Sequence, residues 1–242
     1  MPALNPGGKL VVETASYAAP TRAAAPTEFP PQRAAILRRV RRLNEFYYRL
    51  RWGNLERRRR GGLVRLHEHL SRTPFADKYW MTLGLLLGCI RDGAPISWDR
   101  DFDFGFLDRD LPHFLAAMRK LRAAGFELRA PQVNNDGRTT KWSLKYQGVK
   151  FEFFLFDRNG ANIRWHYHKR SPPLELVNEV PAHGLVEYEL YGKRWQVPNN
   201  AEDVLARIYG DWRTPNPGYL YWRDSRAIVE RYPWTGERRA PD

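Results

Sequence analysis

Between residues 98 and 106 the chain reads Trp98-Asp99-Arg100-Asp101-Phe102-Asp103-Phe104-Gly105-Phe106. A strand turns successive side chains to opposite faces, so Asp99, Asp101 and Asp103 share one face and Phe102, Phe104 and Phe106 the other. The phenylalanines make a good buried face. Three carboxylates at this spacing repel one another, and a divalent cation with oxygen ligands offsets that repulsion. The alternative is a solvated acidic strand edge. The residues upstream argue against it: Tyr79-Trp80-Met81-Thr82-Leu83-Gly84-Leu85-Leu86-Leu87-Gly88-Cys89-Ile90-Arg91 reads as a short apolar strand, a glycine turn and a short helix. Gly84 and Gly88 would let phosphates approach the backbone, the helix N-terminus offers N–H groups, and the aspartates hold the metal. Arg91, at the helix end, would neutralise a pyrophosphate or pair with an aspartate of the same site.

These residues need a sheet and helices to position them. Hydrophobic spacing predicts a strand over 79–83, a helix over 85–91, and a helix from an Asp110 cap to about Ala124 that buries Leu111, Phe114, Leu115, Met118 and Leu121. Gly125 ends it and Phe126–Arg129 forms a strand. Asn134-Asn135-Asp136-Gly137 is a turn, followed by a hairpin of Thr140–Tyr146 and Lys150–Phe156 around Gln147-Gly148. Within that hairpin Phe151-Glu152-Phe153-Phe154-Leu155-Phe156 holds one acid in an apolar run. A charge there is costly unless it is paired or bound to a cation, so Glu152 is a second site candidate; the alternative is a glutamate on the solvated face of an edge strand. Lys141 and Lys145 alternate on the neighbouring strand.

After Asp157 the pattern reads as irregular, with His166 and His168 two apart as packing or surface residues. Val186–Leu190 and Arg194–Val197 read as a hairpin, and Asn200 as the cap of a helix over 201–209.

Bulk properties set the frame. A chain of 242 residues, 43% hydrophobic and 14% aromatic, fits one domain with extensions. Its single cysteine, Cys89, excludes an internal disulfide and a four-cysteine zinc site. No apolar stretch is long enough to span a bilayer and no signal core is visible, which predicts a cytoplasmic protein, peripheral at most on the inner face of a membrane. The net charge of +13 is uneven, with eleven arginines against Glu45 and Glu56 between Arg33 and Arg60, or +9, in that segment. Residues 1–32 read as disordered. Residues 33–60 read as a basic amphipathic helix, broken by Gly61-Gly62, that either lies on an anionic surface or packs on the main domain.

Two blocks together resemble the LicD/fukutin family. One is Gly84–Arg91 with Ile96–Asp103; the other is Val197–Leu205 with Tyr209-Gly210-Asp211-Trp212-Arg213-Thr214-Pro215. The resemblance runs from residue 63 to residue 217 and implies an α+β fold, a nucleotidyltransferase-like mixed β-sheet with flanking helices. It also implies metal-dependent transfer of a phosphorylated alcohol or sugar from a CDP-linked donor to a glycan or lipid-linked glycan acceptor. Asp101 and Asp103 would then bind Mg²⁺ or Mn²⁺, with Asp99 as ligand or orienter. Glu152 would complete the metal site or accept the proton of the attacking hydroxyl. Gly84, Gly88, Arg91, Lys145, Tyr209, Gly210, Asp211 and Trp212 would contact substrate, although Trp212 also suits structural packing. Leu85 departs from the pattern, since the family usually has Ser or Thr there. Two rivals remain: nucleotidyl transfer from an NTP, and RNA binding through the basic segment, against which the acidic triplet argues.

Overall fold

A computed structural model of the chain describes residues 55–97, 99–216 and 218–235. The chain divides into two compact units, Met1–Arg57 and Arg58–Asp242. The disordered segment read at 1–32, and the basic helix as far as residue 54, lie outside the described residues. No helix among the described residues is long and apolar enough to cross a membrane.

Residues 55–70 are helical, and the part within the larger unit, 58–70, is α1. The glycine pair does not break it. A Cβ on Gly62 would stand 3.2 Å from the side chain of Val149, so the pair marks a close helix–sheet crossing where a helix end was predicted. The helix runs on unbroken through residues 63–70.

The main sheet is mixed, and with its flanking helices it gives the expected α+β fold. Strand β1 (Tyr79–Met81) pairs antiparallel with β2 (Asp101–Leu107), and β2 runs parallel to β5 (Val149–Asn159). Strands β3 (Glu127–Val133) and β4 (Thr139–Tyr146) flank the predicted Asn134–Gly137 turn, and β4 pairs antiparallel with β5 as the hairpin expected around Gln147-Gly148. Residues 158–181, read as irregular, instead continue the sheet. The end of β5 turns into β6 (Asn162–Arg170), then β7 (Pro173–Pro181), both antiparallel. In the C-terminal segment, strand β10 (Ile228–Pro233) pairs antiparallel with β7. Strands β8 (Leu185–Leu190) and β9 (Lys193–Pro198) form the predicted hairpin as a separate two-stranded sheet.

Four helices complete the unit: α2 (Leu83–Asp92), α3 (Leu111–Ala123), α4 (Ala201–Tyr209) and the short α5 (Tyr221–Asp224). Asp110 and Asn200 precede α3 and α4 as read, yet neither side chain makes a capping hydrogen bond.

Alternation gives the central strands two different faces. On one, Phe102 stacks near Phe151 (5.7 Å between centroids), Phe104 on Phe153 (5.2 Å) and Phe106 on Phe114 of α3 (4.4 Å). These rings are buried almost completely, and rings of this size dominate core energetics. The opposite face of the same strands carries Asp101, Asp103 and Glu152, with Asp103 directly opposite Glu152 in the parallel register. The apolar face therefore holds the polar one rigid.

Candidate active site

The three aspartates converge. One carboxylate oxygen from each of Asp99, Asp101 and Asp103 lies within 4.8 Å of the others. The geometry differs in one respect from a continuous strand. β2 begins at Asp101, and Asp99 sits in the segment before it, its carboxylate accepting a hydrogen bond from the Arg100 N–H at 2.8 Å. What brings Asp99 in is Arg59 of α1. This buried guanidinium donates to the carbonyls of Ile96 (3.1 and 3.0 Å) and Ser97 (2.8 Å), and lies 5.0 Å above the Phe102 ring.

The helix start supplies the room. A Cβ on Gly84 would fall on the Asp99 carboxylate, so the glycine admits the acids themselves. Leu83, just before it, has φ 46°, a left-handed conformation that a branched side chain rarely adopts and that the surrounding packing must hold. Gly88 serves a different need from phosphate approach. Its Cβ position is blocked by the backbone of Ala94 and Ile96, at 2.7 and 2.6 Å, so it lets the loop to Asp99 pack against α2.

The electrostatics follow from crowding. Burial, then Asp101, push the Asp99 carboxyl up to about 6. Burial, with Asp101 and Glu152 beside it, raises Asp103 well above the usual carboxylate range. Such an oxygen-only cluster suits a hard divalent cation, whose charge would offset both the burial and the mutual repulsion.

Glu152 is in a different state. Its Oε2 accepts from Lys141 Nζ at 2.8 Å, while its Oε1 accepts from Ser143 Oγ at 3.0 Å and pairs with Lys150 Nζ at 2.5 Å. Burial acts to raise its pKa, but Lys141 and Lys150 outweigh it and hold the carboxyl at about 2. Lys150 also reaches Asp101 Oδ2 at 2.8 Å and so bridges the two carboxylates.

A pocket of about 550 Å³ opens over this cluster. Of the residues read as substrate contacts, Gly84, Arg91, Tyr209, Asp211 and Trp212 line it. Gly88, Lys145 and Gly210 are not among its lining residues. Arg91 pairs bidentately with Asp92, at 2.9 and 2.8 Å, and with no aspartate of the cluster. Lys145 stands opposite Lys150 on β4, and Gly210 faces the Arg226 guanidinium. Sequence reasoning missed Arg59, Lys150, Tyr167, Tyr219 and Tyr221. The lysine could have been found from the strand register, two residues before Glu152; isolated tyrosines carry no such signal.

The chain is 28% identical over 154 residues to the mouse (Mus musculus) protein "Ribitol 5-phosphate transferase FKRP", an alignment covering 59% of this chain and 29% of that protein. The chain therefore spans less than a third of that relative's length. The family model described as "LicD/FKTN/FKRP, nucleotidyltransferase domain" matches residues 76–200, which hold Gly84, the three aspartates, Glu152 and both lysines. With more than half its residues matched, the chain belongs to the LicD/FKTN/FKRP family.

Proposed function

We propose that this protein is a transferase that moves a phosphate-linked alcohol or sugar from a CDP-activated donor onto a glycan hydroxyl. The observation that carries this reading is the convergence of Asp99, Asp101 and Asp103 beneath an open pocket. Membership of the family and the name of the mouse relative support the class of reaction.

Asp101 and Asp103 would hold Mg²⁺ or Mn²⁺, with Asp99 as a third ligand or as the group that orients the other two. A bound divalent cation would polarise the donor's phosphoryl oxygens and stabilise charge on the leaving CMP. The remaining work falls to the chain itself. Arg59 and Gly84 fix where Asp99 stands. Glu152 acts as an ionised anchor for Lys141 and Lys150, because its oxygens are taken up by those lysines and Ser143. Lys150 then sets an ammonium beside Asp101 and ties it to Glu152. Burial in the sheet keeps these groups preorganised, so little reorganisation accompanies reaction.

The test is a panel of CDP-linked choline, ribitol and glycerol donors with Mg²⁺ and glycan acceptors, read by CMP release. Acceptor-dependent CMP supports the reading. Pyrophosphate release from an NTP would replace it with nucleotidyl transfer.

The basic segment is read as a tether to an anionic surface, since each basic residue near such a leaflet contributes about 1 kcal/mol. Deleting residues 1–54, which leaves Arg59 in place, should abolish binding to phosphatidylserine vesicles at low salt.

A further inference from the structure

The pocket has walls of two chemistries. Beside the acids it is lined by Arg91, Arg100 and the start of α2; further round it is lined by Tyr167, Tyr209, Tyr219 and Tyr221. The tyrosines form one group. Tyr167 and Tyr221 lie 4.6 Å apart between ring centroids, and Tyr209 and Tyr219 5.0 Å. All four are half-buried, with ring surface left to the pocket.

Two of the hydroxyls are used to fix the rings. Tyr219 donates to the Ile208 carbonyl at 2.9 Å and Tyr221 to Asn178 Oδ1 at 2.8 Å. The hydroxyls of Tyr167 and Tyr209 make no hydrogen bond within the described residues, although both rings stand within electrostatic reach of Asp103. Beside them Asp211 adds a further acid to the lining. This aromatic wall is therefore built against anions and for a neutral polyhydroxylated ring. Sugar C–H faces pack on aromatic rings, and sugar hydroxyls satisfy phenols and carboxylates.

We infer that the wall of Tyr167, Tyr209, Tyr219 and Tyr221 is the subsite for a neutral sugar ring of the acceptor, with the donor's phosphates on the arginine side. Three of the four tyrosines, Tyr209, Tyr219 and Tyr221, lie beyond residue 200, where the family match ends. The acidic cluster lies inside it. The inference rests on the transferase reading for the identity of the ligand as an acceptor, but the binding of a sugar is testable without turnover.

The experiment is saturation-transfer NMR on the full chain with the methyl glycosides of glucose, galactose and mannose, without donor. At least one should give a signal from its ring protons. Tyr167→Phe and Tyr209→Phe should weaken that binding about three- to tenfold, the loss expected for one hydrogen bond. In turnover with the accepted glycan, both variants should raise the acceptor's KM more than the donor's. No signal from any glycoside overturns the subsite, as does a rise confined to the donor's KM, which would place the nucleobase on the tyrosines. If no donor is turned over while glycoside binding and its loss in the variants hold, the transferase reading fails and the sugar subsite stands. Tyr209→Leu, which removes the ring, checks that packing alone is not being read: it should weaken binding more than Tyr209→Phe at an unchanged melting profile.

Discussion

The place a Cβ would take on Gly84 lies 2.3 Å from Oδ2 of Asp99 and 3.7 Å from Oδ2 of Asp103. Gly84 is inside a helix, where alanine is favoured over glycine by about 1 kcal/mol. Gly84→Ala should therefore leave stability unchanged or slightly raised, because a carboxylate tip can swing aside. Activity should fall strongly, since displaced acids no longer converge. Thermal melting and CMP release on the same preparation check the pair of outcomes; a fully active variant would show that Asp99 is not needed where it stands.

Removing one acid should separate repulsion from cation binding. Asp103→Asn is expected to stabilise the cation-free protein, because a buried like-charge contact disappears. The same change should abolish the stabilisation that millimolar Mg²⁺ or Mn²⁺ gives the wild type. A ligand that binds only the folded state adds about 2.7 kcal/mol at a hundredfold excess over its Kd. Melting with and without the ions, over a Mg²⁺ titration, reads both effects.

Glu152 and Lys150 should behave as one unit. Glu152→Gln frees both lysines, and Lys150→Met leaves Asp101 and Glu152 facing one another. Each should reduce turnover by roughly 10²-fold, the scale on which losing one preorganised electrostatic group acts. Because they share one ion pair, the double variant should lose little more than either single one. Additive losses would instead assign Glu152 an independent role, such as accepting the acceptor's proton.

Arg59 offers a test from behind the pocket wall, since the Ile96 it holds lines the pocket. Arg59→Met leaves the carbonyls of Ile96 and Ser97 without their donor and should cost about 2 kcal/mol, as hydrogen bonds to charged groups do. Turnover should fall further than that loss of stability explains, because Asp99 follows those carbonyls by two and three residues. Lysine cannot reproduce the forked contact, so Arg59→Lys should recover only part of the activity. Urea unfolding alongside a Mg²⁺ titration of activity distinguishes the two effects.

His168 predicts an acid sensitivity unconnected with the chemistry. It is buried at 5% exposure, and neither ring nitrogen has a hydrogen-bond partner among the described residues. Burial holds its pKa down at about 4, against about 6.5 when unfolded. The unfolded chain therefore takes up a proton first, so stability is complete above pH 6.5 and declines as pH falls towards 4. The loss is on the order of 3 kcal/mol. His168→Leu should flatten this slope in urea unfolding between pH 8 and pH 5; an unchanged slope would place the sensitivity elsewhere.

The parts of this site that could be read from the chain are those whose signal is local. Alternation of Asp and Phe in 99–106 announced both faces of β2, and a lone acid in Phe151–Phe156 announced Glu152. Gly84 was legible as a close approach, but its neighbour was the Asp99 carboxylate, a contact set by a loop residue fifteen positions on. The meander β6–β7 was hidden because its strands carry polar residues on both faces: Arg164, His166 and Glu175 on one, Tyr167 and Asn178 on the other. Lys150 looked like any strand-end lysine until the register set it between Asp101 and Glu152. Gly61-Gly62 carried a helix-breaking signal that packing against Val149 overrode.

The parallel pairing of β2 with β5 also sets the order in which the molecule can assemble. Asp103 and Glu152 are separated along the chain by α3 and the β3–β4 hairpin, so their pairing is a long closure that contact order makes slow. A partly folded chain in which local helices and hairpins have formed still lacks the acidic cluster. Divalent ions should then leave the refolding rate almost untouched and act on the opposite limb, slowing unfolding. The cluster would make the finished protein kinetically long-lived without guiding it to its fold.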